Sequence, residues 1–170
     1  MTNILQAIKP IGRVLASLSF VLILALSSRA QTALKISGEV TNPLTLQAAD
    51  LKAMPHIDLI AKDRDSKEHR YSGIPLSALL KQAGVTLGDE LRGKNLMKVA
   101  VVKAADGYEV LFALPELDPD FATRTIVLAD QVDGVPLPQG VGPYRVVVPD
   151  EKKPARWIRE VKSIDVRFVK

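Results

Sequence analysis

From Leu34 onward the chain is divided into short apolar runs, LKISGEV, LMKVAVVKA, YEVLFAL, RTIVLADQV, YRVVVP and SIDVRFV, most of them closed by Gly, Pro, Asn or Asp. Runs this short, rich in Val, Ile, Tyr and Phe and bounded by turn formers, predict strands rather than long helices. The clearest helix is Pro75 to Ala83, PLSALLKQA, where a proline starts the segment, Gly84 follows it, and Leu76, Leu79 and Leu80 share one face. A second short helix is expected in LTLQAADLKAMP, halted by Pro55, after a strand end. Nothing repeats at a fixed period, which leaves a sheet-rich, mixed α+β single domain as the expected fold class.

The first 30 residues do not belong to that pattern. Lys9 and Arg13 precede Val14 to Leu26, VLASLSFVLILAL, a stretch without charge, and Ser28 and Ala30 place small residues before a cut at Gln31. That order is the order of an export signal. The division expected is therefore a signal peptide at 1–30 and a folded domain at 31–170, located in the periplasm. The alternative is a retained N-terminal membrane anchor, although 13 apolar residues fall short of the roughly 20 that span a bilayer.

Charge and cysteine content narrow the function classes. The whole chain of 170 residues carries 23 Lys and Arg against 19 Asp and Glu, and removing Lys9, Arg13 and Arg29 leaves 20 against 19. A net charge near +1 gives no basic footprint for nucleic acid. With no cysteine the chain has neither disulfides nor a thiolate to offer. There is no GxSxG, HExxH or GxxxxGK run, and the two histidines, His56 and His69, stand 13 residues apart. A Ser-His-Asp set drawn from Ser72 and His69, or a two-His metal site, rests only on residue availability.

Further along, ADGYEVLFAL, then RTIVLADQVDGVPLPQGVGPYRVVVP, then ARWIREVKSIDV resemble in order the core of the molybdopterin-binding oxidoreductase domain, the sulfite-oxidase fold. YSGIPLSALLKQAGV resembles that family's segment with an aromatic residue, Gly, an apolar residue, Pro and Leu ahead of a short helix, so the likeness runs over roughly residues 35–170. The resemblance implies a domain that binds the pterin of the molybdenum cofactor, with a cysteine as the metal ligand. Here Ala61 or Lys62, within IAKDR, stands near the expected cysteine. Neither supplies the soft thiolate, so bound molybdenum is not expected, while a pterin pocket is.

A pterin presents donors on its pyrimidine edge, acceptors at its oxo group and ring nitrogens, and two flat faces. It calls for a carboxylate, fork-shaped donors and an aromatic wall. The candidate binding residues of these types are Arg64, His69 and Arg70 in the charged stretch IAKDRDSKEHR, Asp106 and Tyr108 in ADGY, Arg145 in GPYRV, and Arg156 and Trp157 in ARW. Each has a structural alternative: Trp157 and Tyr108 as core, Arg145 as an ion pair, Asp106 as a turn former, and the charged stretch as a wet exit loop. ELDPDF reads as a surface connection, and Asp106-Gly107 as a two-residue hairpin turn. No catalytic residue and no metal ligand is expected.

The resemblance implies an exported protein that binds a pterin or related heteroaromatic ligand without converting it and signals to the periplasmic domain of a membrane partner. The alternatives are a diminished molybdopterin-dependent oxidoreductase and a structural or protein-binding periplasmic module. In the first reading no cofactor is required.

Overall fold

The computed structural model describes residues 33–169. The export segment expected at 1–30 lies outside them. Ten strands follow in chain order: β1 (Leu34–Gly38), β2 (Leu44–Leu46), β3 (Ile57–Lys62), β4 (Glu68–Pro75), β5 (Lys98–Ala104), β6 (Glu109–Ala113), β7 (Val127–Val132), β8 (Val135–Pro136), β9 (Arg145–Val147) and β10 (Val161–Phe168). Short helices at Ala48–Ala53, Leu76–Gln82 and Leu114–Leu117 connect them.

The strands make two sheets. One is ordered β2-β1-β10-β5-β6, and the other β3-β4-β7-β8, with β9 also paired to β7. Within the described residues β1 and β10 run parallel, and the other pairs run antiparallel. The alternation of apolar residues decides the faces. Ile36, Ala100, Phe112, Ile164 and Val166 from the first sheet and Tyr71, Ile74, Leu128 and Val146 from the second belong to one buried cluster, so both sheets share a core. The three leucines of the Leu76–Gln82 helix are all buried against it, as their spacing predicts.

Three local expectations differ from what the fold builds. The charged stretch is not an exit loop. β3 runs through Lys62 and β4 starts at Glu68, in register from Ile57–Gly73 to Lys62–Glu68, so only Asp63 to Lys67 turns. Alternating charge suits a two-stranded ribbon with a wet face as well as it suits a loop. The Asp106-Gly107 hairpin is wider than two residues, because Ala105 to Tyr108 joins β5 to β6 and Ala104 N–H donates to the Tyr108 carbonyl at 2.9 Å. ELDPDF is not wholly at the surface: Leu117 and Asp118 are buried, with Asp118 accepting from the Gly88 and Asp120 N–H groups at 2.6 and 2.9 Å.

Gly73 has a specific reason to be glycine. A Cβ there would lie 2.5 Å from the Leu128 carbonyl oxygen and 2.6 Å from the Ala129 Cα. It sits where the β4–β7 register steps from Ser72–Gln131 to Gly73–Ala129, and the step leaves Asp130 as the extra residue of a bulge.

Candidate functional site

The β3–β4 turn is fastened from below. Asp63 follows β3 directly, and Arg145 opens β9, which reaches the same place through β7. The Arg145 guanidinium grips the Asp63 carboxylate with two forks, Nη1 to Oδ2 at 2.6 Å and Nη2 to Oδ1 at 3.0 Å. Tyr71 on β4 donates its hydroxyl to the same Oδ2 at 2.8 Å. The Arg145 guanidinium also lies 5.0 Å from the Trp157 ring centre and 5.8 Å from that of Tyr71, and the two rings meet edge to face at 5.7 Å. Trp157 closes the cluster by donating Nε1–H to the Val148 carbonyl at 3.0 Å.

Burial alone pushes the Asp63 carboxyl up, but the bonds from Arg145, the Arg64 N–H and Tyr71 outweigh it and hold the group well below the usual carboxylate range. Burial, and then the bond to Asp63, pushes the Tyr71 hydroxyl above the ordinary phenol range. Arg145 Nε is shielded and has no partner. The cluster is a closed lock whose charges already satisfy each other.

Above the lock, the turn faces the segment Asp150 to Arg156. A cleft of about 400 Å³ lies between Asp63, Arg64 and Ser66 on one side and Lys152 to Ala155 on the other. A second hollow of about 300 Å³ adjoins Ala61, Lys62 and Glu68 and is lined by Asp150 to Lys152. Arg64, Lys152 and Lys153 form no salt bridge among the described residues. Donors outnumber acceptors on that rim.

The eight candidate residues divide around this cleft. Arg64 lines it. Tyr108, 54% exposed, stands beside it with its hydroxyl 3.5 Å from the Ala155 carbonyl. Asp106 serves the turn, accepting the Tyr108 N–H at 2.9 Å. Arg156 holds the facing segment in place through Glu151 at 2.8 Å and Glu116 at 3.0 Å, with its guanidinium 4.6 Å from the Phe112 ring centre. His69 is bracketed by Asp133 at 2.7 Å and Asp65 at 3.1 Å, and those two bonds raise its pKa. Arg70, largely exposed, reaches Asp58 at 3.6 Å. Arg145 and Trp157, 4% and 3% exposed, lie beneath the cleft rather than in its wall.

Sequence reasoning did not single out Asp63, Tyr71, Lys152 or Lys153. For Asp63 and Tyr71 no local signal exists, because their partner Arg145 is 82 and 74 residues away. For the lysines a signal was present in the run DEKKPAR, one step before the residues chosen.

No protein-family model matches the chain, and no curated protein matches it. Among solved structures, the sulfane dehydrogenase SoxCD from Paracoccus pantotrophus is similar, with a TM-score of 0.63 and 23% identity over 79% of this chain and 37% of that chain. The chain thus covers well under half of that protein's length. The described residues have the sulfite-oxidase, molybdopterin-binding fold. They are a cysteine-free version of it.

The residues present do not fit a thiolate-held molybdenum centre. Ala61 is buried, Lys62 is exposed, and both oxygens of Asp63, the first oxygen donor after them, are taken by Arg145 and Tyr71. Among the described residues no three His, Asp or Glu side chains converge as a metal site.

Proposed function

We propose that this chain is an exported, non-catalytic binding protein, and that the cleft between the β3–β4 turn and the Asp150–Arg156 segment takes a pterin or related heteroaromatic ligand. The observation that carries the proposal is the rim of donors without carboxylate partners, Arg64, Lys152 and Lys153, beside the exposed ring of Tyr108. Oxo groups and ring nitrogens accept from such donors, and a flat heterocycle stacks on such a ring. A cleft of about 400 Å³ falls within the ordinary range for small-molecule sites. The lock beneath it fixes one wall, so occupancy would bear mainly on the opposite segment. In this reading the Asp150–Arg156 surface carries ligand state to a periplasmic domain of a membrane signalling partner.

The test is calorimetric titration of a tetrahydropterin into the protein. Saturable binding is expected, weakened by roughly tenfold or more when Arg64, Lys152 and Lys153 are all changed to Ala. Binding unaffected by the triple change would remove this residue set.

The fold likeness to a dehydrogenase favours a second reading, a diminished molybdopterin-dependent oxidoreductase. Elemental analysis of protein from its own host separates the two. Near-stoichiometric molybdenum would support the enzyme, and a metal-free pterin adduct in native mass spectrometry would support the binding protein.

A further inference from the structure

One corner of the first sheet puts apolar side chains and unpaired cations on the same surface. The stretch from Leu91 to Ala105 holds Arg92, Lys94, Lys98 and Lys103 and no acid. The turn Gly93–Met97 leads that stretch into β5 and leaves Leu96 45% and Met97 55% exposed. β10 ends beside it: Val99 pairs with Arg167, Lys98 with Phe168, and the Val169 N–H donates to the Met97 carbonyl at 2.9 Å. Val169 is itself 49% exposed, so three apolar side chains form a lip at this corner. Behind the lip the apolar surface continues, because Val99 and Val101 lie on the outer face of the sheet, outside the shared core, and line a hollow of about 690 Å³ with Leu111 and Val169. Single exposed apolar residues are ordinary, whereas a contiguous group rimmed by charge marks an interaction surface.

The charge at the rim has one dominant sign. Arg92, Lys94 and Arg167 are exposed and, like Lys98, form no salt bridge among the described residues. The Lys98 ammonium donates to the Thr86 hydroxyl at 3.1 Å and lies 5.1 Å from the Phe168 ring centre, a buried positive charge just behind the lip. Lys103 is already paired with Glu109 at 2.6 Å. The acids of the adjoining segments are Glu39, which lines the hollow, Asp165, which accepts the Ser37 hydroxyl at 3.2 Å, and Asp89 and Glu90 in the preceding turn, where Glu90 lines a separate hollow with Lys81.

We infer that this corner is a docking surface for an anionic lipid bilayer: Leu96, Met97 and Val169 enter the boundary of the acyl chains, and Arg92, Lys94 and Arg167 meet the headgroup phosphates. Charge complementarity selects this occupant. A second copy docked by two-fold symmetry would set the same cations against themselves. At an anionic bilayer an apolar lip among basic side chains gains twice, from the apolar area it buries and from the negative surface potential.

Because the chain has no cysteine, a single introduced one can carry an environment-sensitive fluorescent label. Met97→Cys places the label on the lip, and Val135→Cys, 57% exposed on β8 of the other sheet, is the control. With vesicles of phosphatidylcholine containing phosphatidylglycerol, emission at position 97 should shift to the blue and be quenched by brominated lipid, and emission at position 135 should do neither. Adding Arg92→Gln, Lys94→Gln and Arg167→Gln to the labelled lip variant should raise the lipid concentration for half the shift by about a hundredfold at low salt, at roughly fivefold per cation. The inference is overturned by no shift at position 97, by an equal shift on pure phosphatidylcholine or at position 135, or by an unchanged titration when the three cations are removed.

Discussion

Two carboxylates of one hairpin turn, Asp63 and Asp65, stand two residues apart and live in opposite regimes. Asp63 points down, where Arg145 and Tyr71 take both its oxygens in a half-enclosed site. Asp65 points out, where the Lys67 N–H at 3.0 Å and His69 at 3.1 Å hold it near water. The first pair is a matter of structure, because a charge left behind in the interior has no substitute partner. The second is a matter of pH, because a histidine decides whether it exists. One short turn is thereby anchored at its base and adjustable at its rim.

Breaking the base should have the largest effect. Arg145→Met strands the Asp63 charge and is expected to destabilise the fold by about 3–5 kcal/mol, read as a lowered denaturant midpoint. Adding Asp63→Leu should restore part of that loss, since the stranded charge goes too. A double variant no more stable than Arg145→Met would mean that the lock is not the source of the cost.

Next in size is Trp157→Phe, which keeps the ring stack but leaves the Val148 carbonyl without its donor, at about 1–3 kcal/mol. Ligand binding at the cleft should hardly change, because Trp157 lies beneath it. A large loss of pterin affinity in a stable Trp157→Phe would return the ring to the binding wall.

The rim should show itself through pH. The bonds to Asp133 and Asp65 raise the His69 pKa above its ordinary 6.5, so its contribution is fully present below that value and fades as pH rises through the raised one. Wild type and His69→Gln should differ most in melting temperature on the acid side of neutrality and converge at alkaline pH. Asp63 works with the reverse sign: its depressed carboxyl contributes at all pH above the ordinary range and is lost only as pH falls through the lowered value. A His69 titration by NMR that Asp133→Asn fails to move downward would separate the raised pKa from the geometry seen here.

The smallest effect belongs to Arg70. Arg70→Ala removes only an exposed pair to Asp58 at 3.6 Å and should alter stability by a few tenths of a kcal/mol, within the error of a melting curve. A loss above about 1 kcal/mol would show that the ribbon's edge is tied down more firmly than its exposure suggests.

The same division runs through what was readable in advance. Local patterns were enough for the strands of LMKVAVVKA and YEVLFAL and for the helix behind Pro75, since strand alternation and helix ends are properties of neighbours in the chain. The absence of cysteine was equally plain, and with it the absence of a thiolate at the end of β3. The reading of IAKDRDSKEHR as a loop failed because a ribbon with a wet face and a loop carry the same residues, and only the pairing of β3 with β4 separates them.

The sequence by itself determined a sheet-rich α+β domain, its turn positions and a chain without a thiolate ligand, because propensity, periodicity and composition are local or additive. Tertiary structure alone decided which charges are spent and which remain available. Arg145 and Arg64 look alike as letters, yet β9 carries one to Asp63 across 82 residues and the turn leaves the other at the cleft. Likewise Asp130 gained its shielded oxygen from a register step between two strands, a property that belongs to the pair and to neither strand alone. Desolvation and partner distance set the value of a charge, and both are fixed only when distant segments meet.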